Sequence, residues 1–130
     1  MINVNIISDY KFWNNKLKKA DIFFNKLIKC FPLKYQFKDK KVDITVLLSH
    51  NKNIKKLNKK FRNKNKHTDI LSFPFDQKPF FKKKIYLGDI IISYEHINKP
   101  KSLTSIQFKK KLIKIFIHGF LHLLNYDHIK

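Results

Sequence analysis

Residues 87–93 read Leu87-Gly88-Asp89-Ile90-Ile91-Ile92-Ser93. Three isoleucines in a row leave no solvent-facing phase, which is the pattern of an interior strand buried on both faces. Working outward, Val42, Ile44, Val46 and Leu48 alternate with Asp43 and Thr45 in a second strand. Ile2, Val4 and Ile6 alternate with Asn3 and Asn5 in a short first strand, and Asp69 to Phe73 forms a third, stopped by Pro74. Trp13, Leu17, Ala20, Phe24 and Leu27 recur at helical spacing, predicting one helix from Tyr10 to Cys30 that Pro32 closes. Asn51 or Asn53 is expected to cap a short helix running through Leu57 and Phe61. Residues 62–68 are polar, 77–84 read as a loop, and 94–98 as a turn of helix before Pro100. Thr104 and Gln107 have capping-box spacing, so the last long helix begins there. Lys109, Lys110, Lys111 and Lys114 mark its wet side. Ile113, Phe116, Ile117, Phe120 and Leu121 make it apolar around much of its circumference, so it is expected to be central in the fold. The order βαβαββαα predicts an α+β fold, one domain over residues 1–130, with helices packed on a mixed sheet of about four strands.

A chain of 130 residues is long enough to bury a core without disulfides, and its single cysteine, Cys30, can form none internally. A hydrophobic fraction of 43% argues against disorder despite a net charge of +20. No apolar run is long enough to span a membrane, and Met1-Ile2-Asn3-Val4 lacks the layout of a signal peptide, so a cytoplasmic location is expected. Lys, Ile, Phe, Asn and Tyr supply 76 of the 130 residues, the signature of an AT-rich genome. Part of the basicity is therefore mutational, although a surface of this charge attracts polyanions whatever its origin. Against such a bias, the two glycines (Gly88 and Gly119) and the one arginine (Arg62) mark positions that need those residues.

The chain ends His118-Gly119-Phe120-Leu121-His122-Leu123-Leu124-Asn125-Tyr126-Asp127-His128-Ile129-Lys130. His118 and His122 stand four apart, on one helix face, where two imidazoles can share a metal ion. Such pairs also arise by chance in ordinary helices. His128 adds weight to the metal reading, because a helix ending near Asn125, a residue tolerant of the left-handed conformation, lets the chain fold back and bring a third imidazole in. Three imidazoles with water in the fourth position make the open layout of a catalytic zinc site. Asp127 reads equally well as an acceptor for a ligand N–H or as a surface carboxylate. Where a His-Glu-x-x-His peptidase places its general base, this chain has Gly119, which argues against peptidase chemistry.

Arg62 opens the segment Arg62-Asn63-Lys64-Asn65-Lys66-His67-Thr68-Asp69-Ile70-Leu71-Ser72-Phe73-Pro74. Arginine binds phosphate bidentately, which lysine does not, so the one arginine among 28 lysines reads as a phosphate clamp rather than a surface ion pair. His67 reads as a solvated loop histidine.

These blocks resemble those of the YbeY endoribonuclease family. The terminal run matches the family's His-Gly-x-Leu-His-Leu-x-Gly-Tyr-Asp-His with Asn125 in place of Gly. Residues 68–74 resemble its Thr-Asp-Val-Leu-Ser-Phe-Pro, Asn58 to Arg62 its preceding Asn-x-x-(Tyr/Phe)-Arg, and Leu87-Gly88-Asp89-Ile90 a third block. The resemblance runs from about Val42 onward in the right order and takes in both glycines and the arginine. It implies His118, His122 and His128 as ligands of one divalent metal ion, zinc being the expected ion, and Arg62 as the catalytic basic residue. It implies cleavage of single-stranded RNA, with ribosomal RNA and the small ribosomal subunit as partners in 3′-end maturation and ribosome quality control. No membrane and no DNA partner is expected. The sequence stops two residues past His128, where members of the family usually continue, which implies a more exposed metal site. The alternative is a non-catalytic RNA- or ribosome-binding assembly factor whose metal is structural. The nucleophile is left open between water and the RNA 2′-hydroxyl.

Overall fold

In the computed structural model, residues 1–75 and 83–124 are described. Strands β1 (Ile2–Ser8), β2 (Lys41–Ser49), β3 (Ile70–Pro74) and β4 (Lys84–Ser93) form one sheet in the order β1-β2-β4-β3. β1, β2 and β4 run parallel, and β3 pairs antiparallel with β4 at the edge. Helices α1 (Ala20–Lys29), α2 (Asn51–Arg62), α3 (Tyr94–Ile97) and α4 (Ser105–Leu123) complete the fold. The mixed four-stranded α+β architecture is the expected one, with β4 in the interior. The expected turn at Asn125, together with Asp127 and His128, lies outside the described residues.

β2 buries Val42, Ile44, Val46 and Leu48 on the face that carries α4. β4 begins three residues before Leu87, the expected start of the strand, and its buried phase switches from Ile85 and Leu87 to Ile90 and Ile92. The switch is a bulge: Asp43 lies opposite Tyr86, and the next pair is Ile44 with Gly88, so one extra residue sits in β4. Gly88 has φ +144°, and a Cβ there would stand 2.2 Å from the carbonyl oxygen of Phe73. Only glycine allows β3 to close on β4 at this point.

The single helix expected from Tyr10 to Cys30 is instead a 3₁₀ turn, Lys11–Asn15, followed by a break and then α1. Trp13 causes the difference. Its indole N–H donates to Ser49 O at 2.9 Å, and its ring packs edge-on against Tyr94 and Phe108. Satisfying that buried N–H ties the turn to the end of β2, and the chain restarts through Lys19 in the left-handed region, φ 52°. Helical spacing identified the right core residues, since Trp13, Leu17 and Phe24 are buried, without their belonging to one helix.

The N-cap of α2 is His50, and no side chain of its own stretch caps it. The Glu95 carboxylate, from α3, accepts from the Asn51 N–H at 2.7 Å and takes over the role expected of Asn51 or Asn53. The capping box of α4 is formed as expected: Thr104 Oγ1 accepts from Gln107 N–H, and Gln107 Oε1 from Thr104 N–H. α4 buries Phe108, Leu112, Phe116, Phe120 and Leu123 against the sheet and α1. Phe12, Phe61 and Phe75, by contrast, are exposed.

Candidate active site

α2 carries Arg62 in its last turn, and the helix stops there because Asn63 takes the left-handed conformation, φ 55°. Asn58, 2% exposed, shapes the loop beyond. Its side-chain Nδ2 donates to Lys66 O at 3.0 Å, and its backbone carbonyl accepts from Lys64 N–H at 3.2 Å. The Arg62 guanidinium lies against β3. Its Nη2 donates to Ser72 O at 2.6 Å, and its Cζ lies 5.3 Å from the centre of the Phe73 ring. One of its five N–H groups is used in that hydrogen bond.

On the other side of β3 runs α4. Gly119 makes its approach possible: a Cβ there would fall 2.5 Å from Ile70 Cδ1 and 3.1 Å from Ser72 Oγ. The Ser72 hydroxyl donates to Gly119 O at 3.0 Å and fixes helix to strand. Gly119 is therefore a contact residue, and the position a peptidase would give to a carboxylate base is filled by β3. His118 and His122, on either side of it, face each other with Nε2 to Nε2 at 2.8 Å. Two nitrogens bound to one tetrahedral zinc at about 2.05 Å would stand about 3.3 Å apart, so a shift of about half an ångström would let the pair share an ion. Two imidazole nitrogens this close are a fitting donor set for zinc and related divalent ions. Among the described residues no group of three or more His, Cys, Asp or Glu is arranged to hold a metal, and the third expected ligand, His128, falls outside them.

Arg62, His118 and His122, remote in sequence, line one pocket of about 220 Å³ together with Thr68, Asp69 and Ser72. Rarity and spacing single out the three basic residues but neither Ser72, whose backbone oxygen holds Arg62, nor Asn58, which braces the loop that follows it. Both stand in the motif blocks quoted for the resemblance, and a buried polar residue in an otherwise apolar phase was the signal available. His67 is exposed but paired, its Nδ1 2.7 Å from Nε2 of His96. His96 is held below its ordinary value chiefly by burial, then by His67 and Lys99, with Asp69 and Glu95 acting the other way.

Comparison with known proteins agrees with this arrangement. The family model described as endoribonuclease YbeY matches residues 7–130. A Pelagibacter ubique endoribonuclease YbeY is 59% identical over 130 residues, all of this chain and 85% of the relative. An Ehrlichia ruminantium endoribonuclease YbeY is 35% identical over 128 residues, covering 98% of this chain and 78% of the relative. A solution structure of a Thermotoga maritima protein superposes with TM-score 0.50 at 26% identity, over 95% of this chain and 71% of that one. Strand order, the two glycine contacts and the pocket shared by Arg62 and the two histidines sit in the segment those matches cover, and the chain belongs to the YbeY endoribonuclease family.

Proposed function

We propose that this protein is a metal-dependent endoribonuclease that cleaves single-stranded RNA, acting in maturation of the 3′ end of small-subunit ribosomal RNA and in ribosome quality control in the cytoplasm. The observation that carries the reading is the single pocket into which α2 and α4 bring Arg62, His118 and His122. His118, His122 and His128 would hold one divalent ion, with zinc as the expected one. When bound, such an ion polarises a phosphoryl oxygen and lowers the pKa of coordinated water.

The chain's own groups do the rest. Arg62 binds the scissile or adjacent phosphate. Its anchoring to Ser72 O means that little reorganisation accompanies charge build-up in the transition state. The lysine-rich surface holds the remaining strand through its phosphates, with little regard for sequence. Loss of bases from a duplex costs energy that a single strand does not incur, and that favours the single strand.

The test is digestion of end-labelled RNA, as a single strand and as a duplex, beside a casein digest. Cleavage of the single strand alone is expected. Binding of RNA without cleavage under any divalent ion would favour the alternative, a non-catalytic assembly factor with a structural metal.

A further inference from the structure

Among the described residues, the face of the sheet opposite α4 is only partly covered, by α2. Between them lies a mostly apolar pocket of about 520 Å³ lined by Ile7, Leu47, Leu57, Phe61, Phe73 and Ile91, with Thr45 and Asp89 as its polar members. Phe61 is 60% exposed at its mouth and meets Phe73 edge to face, ring centres 5.6 Å apart. Both rings carry a cation: Lys60 Nζ lies 5.3 Å from the centre of Phe61, and Arg62 Cζ 5.3 Å from that of Phe73. An aromatic pair fringed with cations, Phe61 exposed and Phe73 partly buried behind it, suits an unstacked base beside a phosphate, since every base has a π-face and every nucleotide a negative charge.

Its position relative to the first pocket is the second observation. Successive residues of a strand point to opposite faces. Ser72 faces α4 and Phe73 faces α2, and Arg62 touches both, through Ser72 O and the Phe73 ring. The arginine thus lines the first pocket and lies against Phe73, which lines the second.

We propose that Phe61 and Phe73 form a base-stacking subsite for single-stranded RNA, which seats the base next to the phosphate held by Arg62. The proposal rests on the endoribonuclease reading above and adds to it where one base of the substrate lies. The aliphatic side chains of Ile7, Leu47, Leu57 and Ile91 favour a flat apolar ring, and Thr45 and Asp89 are the polar groups such a ring would meet.

Fluorescence anisotropy of the full-length protein, in chelator so that no cleavage intervenes, tests this. The probes are a labelled single-stranded oligoribonucleotide and an abasic ribose-phosphate strand of the same length. Phe61→Ala should weaken binding of the base-bearing strand about five- to a hundred-fold, the usual range for one lost stack, and leave the abasic strand unmoved. Phe73→Leu, which keeps the pocket filled, should do the same. If Phe61→Ala binds both strands like the parent, the subsite is refuted, and a protein docking on this face would give that result. Equal losses for the two strands refute it as well. If the parent binds both strands equally and cleaves RNA, the subsite alone falls. If the parent neither binds nor cleaves RNA, the functional reading falls with it.

Discussion

Gly119→Ala sets two physical effects against each other. Alanine is favoured over glycine in a helix interior by about 1 kcal/mol, so propensity alone predicts stabilisation. The added methyl, however, would sit 2.5 Å from Ile70 Cδ1 and 3.1 Å from Ser72 Oγ. The Ile70 methyl is the end of a side chain and can swing. The Ser72 hydroxyl is tied to Gly119 O, so relief there means lifting α4 from β3. Overpacking of this kind costs about 1–3 kcal/mol, and a strained or lost hydrogen bond about 0.5–1.5 kcal/mol more. The contacts outweigh the propensity, and a net loss of about 1–3 kcal/mol is expected. In urea, at about 2 kcal/mol per M, the unfolding midpoint should fall by about 0.5–1.5 M. Because His118 and His122 flank Gly119, the same movement should displace them relative to Arg62 and slow RNA cleavage by about ten- to a hundred-fold. A midpoint that rose with an unaltered cleavage rate would show that α4 does not bear on β3 as described.

Other consequences follow from the same geometry. Arg62→Lys should keep fold and most RNA affinity, since 28 lysines remain, while turnover falls about ten- to a thousand-fold because a planar, anchored fork has been lost; parental single-turnover rates would make Arg62 a surface residue. RNA binding should weaken about tenfold or more between about 50 and 200 mM salt as counterion release loses force, and a titration that barely moved would rule out phosphate-dominated binding. His96 lies below its ordinary value of 6.5, so the folded protein binds fewer protons than the unfolded chain once the pH drops below that value. Stability should therefore be intact above pH 6.5 and decline as pH falls through it toward the folded value. Urea midpoints across that range should show a smaller decline for His96→Gln, and parallel curves would remove His96 as the cause.

Periodicity and turn chemistry made most of the fold legible, because β2, β4 and α4 bury residues whose spacing is set by their own backbone. Long-range polar bonds were not legible. Nothing in the sequence around Trp13 announces that its indole N–H would find Ser49 O across the fold, or that Glu95 would cap a helix more than forty residues upstream. The bulge at Gly88 left a trace, the phase change from Leu87 to Ile90, that the isoleucine run obscured. In the site, Arg62, His118 and His122 stood out by rarity and spacing. That they share a pocket depends on Gly119 and Ser72, whose roles appear only when α4 lies on β3.

The central claim is that the histidines of the C-terminal motif hold a divalent ion on which RNA cleavage depends. The most direct measurement pairs metal analysis with cleavage of a labelled single strand, for the parent and for the variant with His118, His122 and His128 all changed to Ala. One ion per chain and chelator-sensitive cleavage in the parent, with both lost in the variant and the fold retained, is the predicted result. A variant that kept a stoichiometric ion, or a parent that cleaved equally well after complete removal of metal, would contradict it.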